Sequence, residues 1–494
     1  MGGIVPEKKL SLFSVVATGT GLVVATSCLL TLGQGAGAIG GLFIYSMIIA
    51  CFLNMLAIGS LAELNAIMPG LRGGMAQYTY AAIGALPAII AMLGGYILTN
   101  CFTSSTEVAM CGIVFEEFWH WGVPPFVVGI VLILILMVVN LMGIDIFAKV
   151  QNVVAWSLMG SLLILAVIGM IGKGAGVPVE QEMIIASDEQ IASVLALAPM
   201  AFWLFIGAEF IIPMSSEIKN PKKNVPLGMF LSLAIILVLL TLMVFGFSNY
   251  VTWGDLGSAD SPHLVYGIQL LGPTVGMIWM GIVAVLAAIS TVNVVIGACA
   301  RIMEGLGQMG LVPEVFKKRN SHNAPYGGII LMSAGLCTVL AVTQASDAEG
   351  LIVLILTGCT FWMVAYVIAH VNNLVMRKRM PDAERSFKLP LGPILPIIGI
   401  IGMVWMILTI DPDPEFRFII WRTVIIALIC LAIYGIIWVK LKLKRPLFKA
   451  MPVDEIMAIQ NAAEAEHTAR FNPELAATAD GGQSGGGDSG GDSA

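Results

Sequence analysis

Long apolar segments recur along the sequence, and they restrict the fold more than any other feature. A helix needs about 20 apolar residues to cross the hydrocarbon layer of a bilayer. Only 11% of the residues are charged, against about 25% in an ordinary soluble domain, so a water-soluble globular fold is excluded. We predict an all-α membrane protein with twelve transmembrane helices. The predicted spans lie near residues 11–31, 38–62, 77–113, 124–142, 149–171, 192–212, 226–250, 273–306, 326–344, 350–376, 392–410 and 418–440.

Basic residues are distributed unevenly between the loops that join these spans. With the N-terminus placed in the cytoplasm, 22 of the 25 Lys and Arg residues fall in inner segments, and only Lys173, Arg417 and Arg422 fall outside. Cytoplasmic segments of membrane proteins carry such an excess of basic residues. We therefore expect a multi-pass protein of the cell (cytoplasmic) membrane with both termini in the cytoplasm.

The spans divide the sequence into three regions. Residues 1–10 are a short cytoplasmic N-terminus, 11–440 are the transmembrane domain, and 441–494 are a cytoplasmic tail. Within the tail, 452–470 has the composition of a short amphipathic helix. The Gly-, Ser- and Asp-rich run after it cannot form a core, so we expect the tail to be largely disordered.

The first predicted span contains the step Gly19-Thr20-Gly21, and each glycine costs a helix about 1 kcal/mol relative to Ala. Unwound backbone inside a membrane is tolerated only where it lines a cavity of the protein. Such a break exposes N–H and C=O groups that bind carboxylates or cations. We therefore predict that helix 1 is discontinuous at this step. The alternative is that the two glycines allow close packing of a neighbouring helix.

The sixth predicted span repeats this pattern. It contains Gly207 and, in apolar sequence, Glu209, with Pro213 just beyond it. An acidic residue in a span is costly and indicates function by default. Spans 1 and 6 are five apart, as in two five-helix repeats of inverted topology that each begin with a discontinuous helix. We predict these repeats over 11–171 and 192–376, followed by two extra helices over 392–440.

Four stretches of the sequence carry a family resemblance. They are GTG in the first span, LAELNAIMPGLRGGMAQYTY at 61–80, FIGAEFIIPMSSEIKNPKKNVP at 205–226 and ACARIMEGLGQMGLVPEVFKKRNSHNAP at 298–325. With the number of spans, they make residues 11–440 similar to the amino acid-polyamine-organocation transporters, which share the leucine-transporter fold. The resemblance implies a secondary transporter with its substrate site at the two helix breaks.

The resemblance also implies roles for individual residues at these breaks. In the family, backbone N–H groups at the break of helix 1 bind a carboxylate or another polar group of the substrate. Trp203 matches a position where an aromatic residue stacks on the substrate, and a Trp face attracts a desolvated organic cation by about 1 to 2 kcal/mol. A packing role is the alternative for Trp203. The predicted residues at the two breaks are Thr18, Gly19, Thr20, Gly21, Phe202, Trp203, Ile206, Gly207 and Glu209.

A second carboxylate, Glu107, lies in the third span, on the stretch that contributes to the substrate pocket in the family. Asn100 and Ser104 share its face at helical spacing. We expect Glu107 and Glu209 to favour a positively charged, amine-bearing substrate. The alternative for Glu107 is a position near the outer end of a tilted helix, in contact with water.

Ser290 and Thr291 are adjacent hydroxyls in the eighth span. They resemble the helix 8 ligands that, with carbonyls of helix 1, coordinate sodium in sodium-coupled members of the family. Hard oxygen ligands suit a hard cation. Some sodium-independent members carry a Lys in helix 5 instead, and the corresponding region at 155–158 has none. Sodium coupling is one hypothesis, and hydroxyls bonded only to their own backbone are the alternative.

We predict a secondary active transporter that moves a small amine-bearing solute, such as an amino acid or a polyamine, by alternating access. It acts as an exchanger or an ion-coupled symporter, with sodium or protons as candidate coupling ions. The alternatives are a sodium-coupled symporter of another small organocation and a transporter-like sensor. We expect no enzyme activity, cofactor, metal site or nucleic-acid partner; the partners are the substrate and the lipid bilayer, with the protein a monomer or homodimer.

Overall fold

The computed structural model describes residues 10–71, 73–119, 122–182, 185–259, 261–343 and 348–471. These residues form helices joined by turns and longer loops, with one isolated parallel bridge between Leu10 and Ile218. The α-helices are α1 Leu12–Val23, α2 Thr26–Ile39, α3 Phe43–Ile67, α4 Met75–Ile83, α5 Ala85–Met92, α6 Thr99–Trp119, α7 Pro125–Leu141, α8 Ile144–Met170, α9 Gln190–Phe202, α10 Pro221–Tyr250, α11 Trp253–Ser258, α12 Pro262–Leu271, α13 Pro273–Gln308, α14 Tyr326–Thr343, α15 Ala348–Arg379, α16 Ile394–Leu408, α17 Pro414–Trp438 and α18 Val453–Phe471.

Three irregular helical segments lie next to these helices at places that matter for the site. A π-helix, Leu93–Leu98, joins α5 to α6, and such π segments often mark functional positions. The 3₁₀-helices Trp203–Phe205 and Ala208–Glu217 follow α9.

The described residues form an all-helical membrane protein. Eight continuous helical runs are long and apolar enough to cross a membrane, and four shorter apolar helices accompany them. On α7, the large side chains Val131, Leu134, Ile135 and Val138 are exposed along one helix face. A continuous apolar face of this kind is expected where a helix meets lipid.

The predicted break of helix 1 at Gly19-Thr20-Gly21 is wrong in position. The helix α1 continues through all three residues to Val23, and the chain departs from helical geometry at Val24 and Ala25 before α2 begins. The glycines serve close packing, which was the alternative interpretation. A Cβ atom on Gly19 would lie 2.9 Å from Ile211 Cδ1. Gly21 similarly faces the side chains of Gln151 and Ser290, and a Cβ atom there would collide with both.

The discontinuity of the sixth span lies where the sequence indicated. The helix α9 ends in a 3₁₀ turn, Ile206 is extended, and Gly207 has a φ of 120°, a conformation that favours glycine. A Cβ atom on Gly207 would lie 2.9 Å from Leu22 Cγ. The two breaks are therefore in contact with each other.

The predicted tail is helical in its first part. The helix α18 covers the stretch expected to be amphipathic, Met451 N–H donates to the Tyr80 carbonyl at 3.1 Å, and Ile456 is buried. The helix expected at 452–470 is therefore present, and it packs against α4 and α13. Residues 1–9 and 472–494 lie outside the described residues.

Candidate functional site

A small cavity lies where the two broken helices meet. Its remaining walls come from α6, α13 and α15. The volume open to the centre of a water molecule is about 10 Å³, which is about the room that one water needs. The site is therefore in a closed form. The lining residues are Leu22, Val23, Asn100, Thr103, Ser104, Glu107, Trp203, Ile206, Thr291 and Trp362.

Glu107 links α6 to the break of helix 1. Its Oε2 atom accepts a hydrogen bond from Thr26 N–H at 2.8 Å, and its Oε1 atom accepts one from Ser27 N–H at 3.1 Å. These N–H groups open α2, and the first turn of a helix has free donors and favours negative charge. Glu107 is buried in the middle of α6, so it is not a helix-end residue in contact with water. It instead caps α2 through N–H groups that lie beyond Gly21, the last of the helix 1 residues expected to bind substrate.

Two tryptophans form the aromatic part of the cavity wall. The rings of Trp203 and Trp362 pack edge to face, with centroids 6.4 Å apart. Trp203 Nε1–H donates to Ser27 Oγ at 3.0 Å. Trp362 Nε1–H donates to Glu209 Oε1 at 2.6 Å. Both indole N–H groups are thus hydrogen-bonded within the protein, which fixes the orientation of the two rings.

Glu209 lies behind this wall. Its Oε2 atom accepts a hydrogen bond from Gly207 N–H at 3.2 Å, a backbone donor freed by the break, while Oε1 binds Trp362. The side chain is buried and does not line the cavity. In this conformation Glu209 holds Trp362 and the break in position.

The predicted site residues divide into two groups in the structure. Asn100, Ser104, Glu107, Trp203 and Ile206, together with Thr291, line the cavity. The hydroxyls of Thr18 and Thr20 donate to carbonyls within their own helix, at 2.9 and 2.8 Å, because α1 is intact there. The predicted residues outside the lining are Thr18, Gly19, Thr20, Gly21, Phe202, Gly207, Glu209 and Ser290.

Of the two predicted ion ligands, Thr291 hydrogen-bonds to helix 1 and Ser290 to Gln151. Thr291 Oγ1–H lies 3.3 Å from the carbonyl oxygens of both Gly21 and Leu22. Ser290 Oγ accepts a hydrogen bond from Gln151 Nε2 at 2.8 Å. Gln151 and Trp362 had not been singled out in the sequence. In the sequence, each is a polar or aromatic residue in an apolar span. This pattern can indicate a buried position, but it does not indicate which residue the side chain contacts.

Three of the four resemblance stretches meet at one place. Gly73 N–H donates to the Pro213 carbonyl at 3.3 Å, and a Cβ atom on Gly73 would lie 2.7 Å from the Arg301 carbonyl oxygen. Nearby, Arg301 Nε donates to Glu217 Oε2 at 2.8 Å. The stretches 61–80, 205–226 and 298–325 thus form one packed unit beneath the broken helix 6.

Curated proteins of similar sequence are transporters. The branched-chain amino acid permease BcaP of Bacillus subtilis (strain 168) is 25% identical over 446 residues, which cover 84% of this chain and 90% of the relative. A putative histidine permease of the same organism is 23% identical and covers 89% and 94%. A methylthioribose transporter, also of Bacillus subtilis (strain 168), is 22% identical and covers 84% and 91%.

The fold and the family agree with these relatives. A crystal structure of the Eremococcus coleocola manganese transporter superposes with a TM-score of 0.54 at 15% identity, covering 86% of this chain and 95% of that chain. This likeness shows a fold of the leucine-transporter type. The family model described as amino acid permease matches residues 10–439. The chain therefore belongs to the amino acid permease family of the amino acid-polyamine-organocation superfamily, whose members are transporters and not enzymes.

Proposed function

We propose that this permease moves a small amine-bearing solute, an amino acid or a related amine, by alternating access around the cavity at the two helix breaks. The carrying observation is that both breaks, two tryptophan rings and a buried carboxylate converge on one cavity. The cavity is too small for an amino acid as it stands. Substrate entry therefore requires the broken helices to move apart, which is the motion that alternating access uses.

The cavity wall supports a substrate with a positively charged amine. Among the described residues its lining has one acidic side chain, Glu107, and no basic one. The faces of Trp203 and Trp362 supply the matching surface, since a ring face attracts an ammonium group. The names of the relatives, which include branched-chain amino acid and histidine permeases, favour an amino acid within this class.

We also propose the membrane topology that the sequence predicts. We place twelve spans in the cell membrane, arranged as two inverted five-helix repeats and two extra helices, with both termini in the cytoplasm. Each predicted span overlaps an apolar helix of the structure. The distribution of Lys and Arg supports the orientation.

The test is counterflow in liposomes that contain the purified protein. Labelled leucine, histidine and putrescine are each offered against an interior loaded with the same unlabelled compound. We expect saturable uptake of at least one of them, and competition by the free compounds but not by forms in which every primary amine is acetylated, because these forms lack the ammonium group. The proposal fails if none of the three shows counterflow, or if these acetylated forms compete equally well.

A Trp203 series tests the aromatic wall. Trp203→Leu removes the ring face and keeps a smaller apolar side chain, and we expect substrate affinity to fall about tenfold or more while the protein stays folded. Trp203→Phe keeps an aromatic face and is expected to retain an intermediate affinity. Equal affinity of folded Trp203→Leu and wild type for the transported compound would assign Trp203 to packing alone.

A further inference from the structure

Buried amide side chains on three helices form a chain of hydrogen bonds that reaches the intact part of α1. Gln151 extends from α8, Asn140 from α7, and Asn293 from α13. Asn140 Nδ2 donates to Asn293 Oδ1 at 2.9 Å, and Asn293 Nδ2 donates to Gln151 Oε1 at 3.1 Å. All three are at most 4% exposed. The chain of amides therefore fixes the orientation of Gln151 and turns its Nε2 atom toward helix 1.

The Nε2 atom of Gln151 lies between oxygen atoms of two other helices. It donates to Ser290 Oγ on α13 at 2.8 Å and lies 3.3 Å from the Ala17 carbonyl oxygen on α1. The absence of a side chain at Gly21 makes room for it, because a Cβ atom at Gly21 would collide with Nε2 and Ser290 Oγ. The amide thus connects α1, which leads to the break, with α13.

A cation at this point would use the same oxygen atoms. Carbonyl and hydroxyl oxygens are the ligands of a hard cation, and here the partial positive charge of the amide N–H₂ group already satisfies them. A bound ion would displace Nε2 and leave a buried amide without its partners, which is unfavourable. The members of this cluster, including Thr291, are all uncharged.

We propose that the Gln151 amide stands in place of a coupling cation between α1 and α13, so that the permease binds no sodium there and its transport does not depend on sodium. The statement about transport rests on the proposed transport function, whereas the statement about sodium binding does not. Gln151 acts as a positioning residue, because it hydrogen-bonds to Ser290, to Asn293 and to the backbone of α1, and it is not among the described residues that line the cavity.

The first measurement is the melting temperature of the purified protein in sodium, potassium and choline chloride at equal concentration. We expect equal values for wild type. In Gln151→Ala, the oxygens of Ser290 and Ala17 lose their donor and a space opens between them. We expect the melting temperature of this variant to rise with sodium concentration, and not with choline, because an ion that binds only the folded state stabilises it by mass action.

Two further variants keep the test decisive. If Gln151→Ala does not fold, Gln151→Glu preserves the volume and replaces Nε2 with an oxygen, and the same rise with sodium is expected. Asn152→Ala is the matched control, because Asn152 Nδ2 also joins α8 to α1, at 3.0 Å from Ser14 Oγ, but lies outside the amide cluster. It is expected to respond to salts as wild type does.

Counterflow of the transported compound in the three salts provides the second measurement, and we expect equal rates for wild type. A sodium-specific rise of the wild-type melting temperature, sodium-dependent wild-type transport, or folded Gln151 variants that ignore sodium would each overturn the inference. Absence of counterflow for every amine would instead refute the proposed transport function, since the melting measurement does not require transport.

Discussion

At the scale of single residues, Glu107 shows how an acidic side chain can be accommodated inside a membrane protein. An isolated carboxylate there is costly, but this one accepts hydrogen bonds from two backbone N–H groups at the start of α2. Hydrogen bonds to a charged acceptor are about twice as strong as neutral ones. The same contacts hold the break of helix 1 open at Val24 and Ala25, so the carboxylate determines both local structure and the charge of the cavity.

Neutralising Glu107 is expected to affect folding and binding separately. Glu107→Gln keeps the shape but places an N–H₂ group against backbone donors, so we expect a loss of about 1–3 kcal/mol in the free energy of unfolding. Amine affinity is expected to fall at least tenfold if the carboxylate also faces the substrate. The melting temperature and the substrate dissociation constant are measured side by side.

The control for this substitution is Ser104→Ala. Ser104 lines the same cavity one turn away, and the side-chain contact found for its hydroxyl within the described residues is a long one to Asn100 Oδ1, at 3.5 Å. We expect its stability to match wild type. An unchanged melting temperature in Glu107→Gln would contradict the capping role.

A second residue, His263, is expected to make stability depend on pH. It lies on α12 between spans, it is fully buried, and neither ring nitrogen has a hydrogen-bond partner within the described residues. Burial lowers its pKa from 6.5 to about 4. Between these values the unfolded chain binds a proton that the folded protein does not, so stability falls as the pH is lowered through this window. His263→Leu should weaken that fall in melting temperature, whereas exposed His322→Leu should not.

At the scale of elements, α1 shows that glycine in a membrane helix has two different uses. Gly207 has a positive φ and marks a break, whereas Gly19 and Gly21 are helical and bring α1 close to its neighbours. Small residues at helix contacts are the usual means of close packing in membranes. Helix 1 breaks about one turn after Gly21, where Glu107 of α6 caps the start of α2.

A pair of Gly→Ala substitutions separates these effects. At Gly21 the new methyl group meets Gln151 and Ser290, and we expect a loss of about 1–3 kcal/mol from overpacking. At Gly160, which is helical in α8 and has no atom within 4 Å of the new Cβ, we expect a gain of about 0.4–1 kcal/mol. Melting temperatures of both variants provide the check, and equal effects at the two sites would contradict the packing role.

At the scale of the whole molecule, buried ion pairs hold sequence-distant segments together. Arg319 binds Glu304 through two hydrogen bonds, at 2.6 and 2.7 Å, and both side chains are at most 5% exposed. Arg301 binds Glu217. Within the 61–80 stretch, Glu63 pairs with Arg377 of α15 at 2.5 Å. The stretches that carry the family resemblance therefore supply most of the residues of these buried ion pairs.

Breaking one of these pairs should be far more costly than breaking an exposed one. Glu304→Ala removes the bidentate partner of Arg319, which keeps Asn323 and, at 3.9 Å, Glu217, so we expect a loss of about 3 kcal/mol, the lower end for a broken buried pair. The control is Lys317→Ala, since Lys317 forms an exposed pair with Glu314 at 3.7 Å, and less than about 1 kcal/mol is expected there. Similar unfolding midpoints for the two variants would show that the buried pair adds nothing.

The sequence by itself determined the apolar helices, the break at Gly207 and the family. Each depends on local chemistry: a span needs consecutive apolar residues, a positive φ needs glycine, and the motifs are contiguous. Tertiary structure decided the rest. Val24 and Ala25 carry no local signal for a break, and it is Glu107, about 80 residues away, that stabilises it. Gln151 and Trp362 gained their roles only from partners on other helices, because a hydrogen bond between helices depends on how they pack and not on sequence spacing.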